Sequence, residues 1–570
     1  MKGVPEASAA AEGRARPRSG PARPPDGPAR LPDGSARPLR IAVVGGGMAG
    51  LGAARALEDA RAADPTIDWR LYEDESRFGG KVHTVRRDGF VVEGGPDSAI
   101  IEKHWPITMA RRLGIGDRFE DSNEGIRKSF VYTRGRLHEL PEGIILMVPT
   151  RMAPFALSSL MSWPGKARMG MDLVLPRGGS ARGAAGDGDE SLGDFVRRRL
   201  GKEALARIAE PIVAGIHAGD PEQMSVRATF PMFLEMERKH RSLILAMLKR
   251  RKARQKAAAA GGGAGPGAAA RSEGGPRSYF YSFKGGLQEL SDALVASLPA
   301  ERLHGGSAVR TMAPCGAGCG ASGAGSGAYA LQLADGSRVV VDAVVLATPA
   351  WASGDLLRTV APLPAAGLSS IEYVSTATAS LAFRRDQVAH DLTGFGFVVP
   401  RAENRPVMAT TWSSSKFPGR APEGHVLLRS FLGRAGIEAA AQLDDAEMTK
   451  VVRAELREVM GIAAVPELVE VFRWPRGMPQ YRVGHVDLVN RIEAGVAKVP
   501  GVELAGGAYH GIGIGDCLRE GAAAAERALE HVRGLPEDAV PPQPSDVPAG
   551  NGVTDWNGRR SRRGADSRPA

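Results

Sequence analysis

The chain has 570 residues, 43% of them hydrophobic, and a formal net charge of +10. That is enough for two or three domains with large apolar cores and excludes a fibrous or wholly disordered protein. No stretch reaches the roughly 18 to 20 uninterrupted apolar residues of a membrane-spanning helix, and the Arg/Pro-rich start lacks the apolar core of a secretory signal, so the expectation is a protein that folds in the cytoplasm.

The basic surplus is local. Residues 1–40 carry eight Lys/Arg against four Asp/Glu, and "RKHRSLILAMLKRRKARQK" (238–256) carries nine Lys/Arg and no acid. Together these exceed the whole net charge, so the remainder is slightly acidic and no nucleic-acid partner is expected. Cys315 and Cys319 have no His or further Cys at metal spacing, which predicts no metal site.

In chain order, residues 1–39 repeat "ARP" and "PDG" units too poor in apolar residues to offset chain entropy, and read as a disordered tail. "LRIAVVGGG" predicts a buried parallel strand entering a glycine turn, "AGLGAARALEDARAA" a helix and "DWRLYED" a second strand: one βαβ unit. Helices are expected to dominate from about 100 to 250. Gly/Ala-rich stretches at 257–276 and around "CGAGCGASGAGSGAYA" read as a linker and a long loop. "SRVVVDAVVLATP" (337–349) predicts another buried strand, and "GFGFVVP", "VMATTWSS" and "HVLLRSFLG" alternate like a half-exposed antiparallel sheet.

The first glycine turn carries the strongest chemical signal. Gly45-x-Gly47-x-x-Gly50 follows a strand and opens a helix, the context in which glycines permit a tight turn, a close approach of backbone to a pyrophosphate and close helix–strand packing. The free N–H groups of the helix start then face the diphosphate. Glu73, ending the second strand, is placed to accept hydrogen bonds from the adenosine ribose. Two further glycine pairs follow, Gly79-Gly80 and Gly94-Gly95, and a nicotinamide enzyme has no need of them.

"E…RFGGK" after the ribose-binding Glu resembles the FAD signature of glutathione-reductase-like flavoproteins, especially the amine oxidase superfamily. Within it, "VYTRGRLHELPEG", "LMSWPGKARMGMDLVLP", "ESLGDFVRRRLGKEAL", "EPIVAGIHAGDPEQMSVRATFP", "TTWSSSKFPGRAP" and "WPRGMPQYRVGH" resemble, in order, the blocks of the protoporphyrinogen/coproporphyrinogen III oxidase family, over residues 41–533. The resemblance implies an α/β fold: a discontinuous, glutathione-reductase-like FAD-binding Rossmann-type domain with an α+β substrate domain and a helical insert. The implied order is a tail (1–39), FAD-binding parts at 40–118, 278–355 and 474–534, a helical substrate segment at 119–250, a linker at 251–277, a substrate-binding sheet at 356–473 and a second tail at 535–570.

It also implies FAD as cofactor, a porphyrinogen as substrate and oxygen as acceptor, in three two-electron rounds whose hard chemistry belongs to the flavin. Another superfamily activity, on an amine or a carotenoid, and a non-catalytic flavin-binding protein are the rival readings. A peripheral contact at the inner face of the membrane, through 242–256, and a homodimer stay open. By residue, the family match implies a phosphate turn at Gly45, Gly46, Gly47, Met48, Ala49 and Gly50, and a ribose carboxylate at Glu73. It implies a flavin-side pair Gly79 and Gly80 followed by Lys81, and a loop over the flavin at Gly95, Pro96, Asp97 and Ser98. Val309 would meet adenine, Trp474 stands before "PQY", and Ile512, Gly513 and Ile514 would touch the ring.

No catalytic dyad is evident; His83, His104, His217 and His510 lie near motifs as candidate proton carriers, and Arg127, Lys128, Arg227 and Lys416 as candidate propionate anchors. Gly116 stands where plant relatives would place an arginine. Asp516 is expected to cap a final helix beginning at Cys517, its positive end toward the flavin.

Overall fold

The computed structural model describes residues 38–126, 128–145, 147–177, 188–259, 278–315 and 328–534. Residues 1–37 of the tail expected at 1–39, the tail expected at 535–570, most of the 251–277 linker and the loop after Cys315 lie outside these residues, while Leu39 already opens a strand.

The first strand, Leu39–Val44, pairs in parallel with Ile67–Tyr72 on one side and Ala343–Leu346 on the other. Leu303–His304 and Val502–Leu504 complete a five-stranded parallel sheet. Its strands thus come from three distant parts of the chain. Strand residues alternate between two cores: Ile41, Val43, Ala343 and Val345 pack on one face, Ala42, Val44, Val344 and Leu346 on the other. Burial on both faces is why these strands read as continuous apolar runs.

Two helices cover the first face, Met48–Ala63 and the C-terminal helix Ile514–Arg533. They meet backbone to backbone. A Cβ on Gly52 would lie 2.6 Å from the Leu518 carbonyl oxygen, and one on Gly521 would lie 1.8 Å from that of Ala49.

A seven-stranded sheet forms the second body, in the order Leu468–Pro479, Tyr373–Arg384, His425–Leu432, Val407–Trp412, Gly396–Val398, Phe130–Thr133, Arg136–Glu139. All pairs are antiparallel except Gly396–Val398 with Phe130–Thr133. The hairpin 130–139 therefore leaves the helical segment to extend this sheet. The strand ending at Pro479 also runs past the boundary expected at 473/474.

Two expectations are corrected. "SRVVVDAVVL" is not one strand: Arg338–Val341 joins an antiparallel three-stranded sheet, and after Asp342 the chain passes to Ala343–Leu346 in the parallel sheet. The helix Leu243–Ala259 extends into the expected linker. Leu243, Ile244, Ala246 and Met247 are core residues of the helical body, so the apolar part of 242–256 is not available to a membrane.

Candidate functional site

At the first turn the glycines are required by space. Gly45 has φ +105° and donates its N–H to Tyr72 O at 2.8 Å. A Cβ on Gly50 would stand 1.8 Å from Gly45 O, so only glycine lets helix and strand come this close. Gly47 is the N-cap of the first helix, where no side chain caps the helix and a Cβ would meet nothing within 4 Å. This leaves a helix start open to a ligand. Met48 and Ala49 are buried beneath it.

Glu73 lies directly under the turn. Its carboxylate accepts the N–H of Gly46 and, at 3.0 Å, that of Glu75. Its own carbonyl oxygen accepts from Ser307 N at 2.7 Å, bringing Val309, two residues on, to the same side. Gly79 (φ +102°) donates to Gly46 O at 2.8 Å, and a Cβ on Gly80 (φ +56°) would lie 3.1 Å from Gly47 Cα. The second glycine pair is thereby laid on the first turn.

Lys81 follows. Its side chain is exposed, yet surrounding protein pushes its ammonium pKa down by desolvation, and it interacts electrostatically with Cys517. Burial also pushes the Cys517 thiol up to about 12, so it stays protonated.

A Cβ on Gly95 would stand 1.7 Å from Lys81 O, which seats the loop of Gly95, Pro96, Asp97 and Ser98 against the same wall. Four side chains of the seven-stranded sheet and its neighbouring turn hold that loop. Trp474 Nε1 donates to Gly94 O at 2.9 Å, Thr378 Oγ1 at 3.2 Å and Arg429 Nη2 at 3.1 Å, the last also reaching Gly95 O. Lys416 Nζ reaches both Asp97 oxygens and Ser98 Oγ, each at 3.0 Å. Burial opposes ionisation of Asp97, but Lys416 and Arg429 together hold its carboxyl well below the usual carboxylate range.

The last glycine turn closes the site. Gly513 is the N-cap of the C-terminal helix, which begins at Ile514 and has no side-chain cap. Asp516 is therefore not the cap; it lies in the first turn, where its carboxylate accepts from Lys103 Nζ at 2.7 Å and packs beside Gly511 and Gly513. Ile512 is half-buried beside them. Tyr481 fixes the turn from the sheet side, its hydroxyl donating to Gly507 O at 2.8 Å and accepting from Gly511 N at 3.0 Å.

The structure brings together every glycine, Glu73, Lys81, the 95–98 loop and Cys517. It separates the proposed anchors: Lys128 pairs with Glu139, Arg227 with Asp487, and Lys416 is spent on Asp97 and Ser98. Arg127 lies outside the described residues. Gly116 opens a short turn ending at Arg118, which binds Glu289. Among the histidines, His83 meets Phe472 edge-on, His104 precedes the helix Trp105–Arg112, and His510 binds Glu493 at 2.6 Å. His217, pushed down to about 4 by burial, stays neutral near the end of its helix. Arg429, Thr378 and Tyr481 were not anticipated. Arg429 had a signal: a charge in the middle of "HVLLRSFL", a strand otherwise built for a core.

A family model described as flavin containing amine oxidoreductase matches residues 48–529. The chain belongs to the flavin-containing amine oxidoreductases. Members similar to it include coproporphyrinogen III oxidase of Bacillus subtilis, 34% identical and aligned over 86% of this chain and 98% of that one. The enzyme of the same name from Propionibacterium freudenreichii is 36% identical over 86% and 90% of the two chains. A chloroplastic protoporphyrinogen oxidase of spinach is 29% identical over 85% and 83%. A crystal structure from Exiguobacterium sp. 255-15, described provisionally as a protoporphyrinogen oxidase, superposes with TM-score 0.72 at 30% identity, covering 86% of this chain and 99% of that one.

As a flavin-containing amine oxidoreductase the chain takes FAD, and its residues fit that group. The open helix start suits a diphosphate, Glu73 a ribose, and the Gly79–Lys81 and Gly95 walls a flat ring that side chains would obstruct.

Proposed function

We propose that this flavoenzyme oxidises a porphyrinogen to a porphyrin, with coproporphyrinogen III as preferred substrate and oxygen as acceptor. One observation carries the choice: relatives at 34 and 36% identity bear that substrate in their names, whereas a protoporphyrinogen oxidase stands at 29%. FAD, when bound, supplies the two-electron redox chemistry, used three times per substrate. The chain would hold the diphosphate at Gly45–Gly50 and the ribose at Glu73, with the 94–98 loop and the 507–513 turn kept rigid as the flavin's surroundings.

Purified holoprotein should be yellow, and porphyrin fluorescence should develop on adding either porphyrinogen, with the higher kcat/KM for coproporphyrinogen III. Bound flavin without fluorescence from either substrate rejects the reading, and turnover of amines instead favours the rival.

A peripheral membrane contact is supported at a site other than the one read from sequence. Leu157 is 85% exposed, Trp163 70% and Val174 70%, with Met152 and Met171 also exposed. Arg151, Lys202 and Arg177 are exposed around this apolar stretch, as an anionic lipid surface requires. Co-sedimentation with phosphatidylglycerol vesicles, lost in Leu157→Ser/Trp163→Ser, is the expected result; retention by the variant rejects this site.

A further inference from the structure

Lys416 stands on the short helix Ser413–Lys416, outside the flavin domain, yet its side-chain hydrogen bonds go to the flavin-side loop. An ammonium has three N–H donors. Here Asp97 Oδ1, Asp97 Oδ2 and Ser98 Oγ each lie at 3.0 Å from Nζ, and Ser98 Oγ donates to Asp97 Oδ1 at 2.7 Å. Phe280 and Phe417 lie with their rings 5.1 and 5.3 Å from the charge. No donor is left for a substrate carboxylate.

The charges around this pair belong to one buried group. Arg429, 2% exposed, faces Asp97 and the carbonyls of Gly94 and Gly95. Arg420, 1% exposed, pairs with Glu93 and Glu120. Glu93 immediately precedes Gly94, so the two clusters flank a single loop. Removing one partner of a buried pair leaves the other charge uncompensated, and its field is weakly screened.

The loop in turn adjoins the cofactor cradle through contacts already described: Gly95 on Lys81 O, Gly80 on Gly47. We propose that Lys416 is a positioning residue for the flavin: it locks the Gly94–Ser98 loop to the substrate-binding sheet and neutralises Asp97, so that the loop presents no net negative charge to the ring. The inference rests on the flavoenzyme reading and extends it by giving the sheet a part in setting how readily the flavin accepts electrons. Without Lys416, Arg429 alone would face Asp97 while also facing Glu93, and the negative charge left over would disfavour reduction, which adds negative charge to the ring.

The test reads the flavin itself, without porphyrinogen, so that it does not depend on the substrate assignment. Midpoint potentials of the holoprotein are measured anaerobically by dye equilibration for Lys416→Met, Lys416→Arg, Asp97→Asn and Lys416→Met/Asp97→Asn. Working at about pH 9 keeps the freed Asp97 carboxyl ionised beside Arg429. Lys416→Met should shift the potential to more negative values. Lys416→Arg should hold it near that of the parent, and the double variant should return most of the shift, a non-additivity that a purely structural loss would not produce. Should Lys416→Met fail to retain FAD, retention restored in the double variant supports the proposal equally, and failure of the double variant to restore it overturns the proposal. An unchanged potential in Lys416→Met, or additive shifts across the cycle, also overturns it.

Discussion

Gly521 of the C-terminal helix lies directly on the backbone of Ala49 in the first: a Cβ built on it would stand 1.8 Å from the Ala49 carbonyl oxygen. The contact joins the first and last helices of the described residues, whose starts at Gly47 and Gly513 both lack a side-chain cap. Gly521→Ala forces the helices apart. It should cost about 3 kcal/mol or more, at the severe end of overpacking, and should weaken FAD retention with it. Thermal unfolding with flavin-release detection reads both. Gly170→Ala, where the added methyl meets nothing within 4 Å, is the control and should stay within about 1 kcal/mol of the parent.

Glu73 anchors the backbone of the first turn and, on the proposed reading, also takes the ribose. Glu73→Ala removes a charged acceptor worth roughly 1.5 to 3 kcal/mol, so FAD should bind about 10- to 100-fold more weakly. Titration of apoprotein with FAD measures it, and Glu73→Gln, which keeps one acceptor oxygen, should fall between. Equal affinities for all three proteins would exclude Glu73 from the ribose site.

The hydroxyl of Tyr481 bridges Gly507 O and Gly511 N. Tyr481→Phe leaves both backbone groups without it in a buried setting, a loss of about 1 to 3 kcal/mol. Because Gly511 belongs to the turn that ends at Gly513, the visible absorption of the bound flavin should shift as well. A lowered melting temperature with an unaltered flavin spectrum would show that the turn does not touch the ring.

His217 and His485 are each pushed down to about 4, chiefly by burial, from an ordinary value of 6.5. Between those values the unfolded chain binds more protons than the folded one, so stability rises with pH. The contribution is complete above about pH 6.5 and is lost as pH falls toward 4. Melting temperatures recorded across this window should decline on the acid side, and His217→Phe should flatten the decline. An unchanged slope in that variant would mean that His217 is not held neutral in the fold.

The geometry of the first glycine turn was legible because its requirements are local. Gly45, Gly47 and Gly50 lie within one turn, Glu73 ends the next strand, and each answers a steric or electrostatic demand made by its sequence neighbours. The substrate half was less legible. Lys416 read as a free cation among substrate blocks, since nothing in "TTWSSSKFPGRAP" reveals that Asp97, 319 positions away, takes it up. The same holds for "SLILAMLKRRKARQK", which read as a solvated basic helix running into a linker, or else as a segment for a lipid surface, until Leu243, Ile244 and Met247 are seen inside the helical body.

What the amino-acid sequence determined by itself was the βαβ unit, its glycine turn with an acid ending the second strand, and the family that these and the later blocks resemble. Periodicity and glycine spacing act over a few residues and survive without the rest of the chain. What only the tertiary structure decided was the pairing of distant groups: Arg429, Trp474 and Thr378 on one carbonyl at Gly94, Tyr481 on the last glycine turn, and Asp516 with Lys103 rather than on a helix cap. Such contacts depend on how two bodies built from interleaved segments are set against each other. Their energy comes from desolvated pairs whose partners no local pattern specifies.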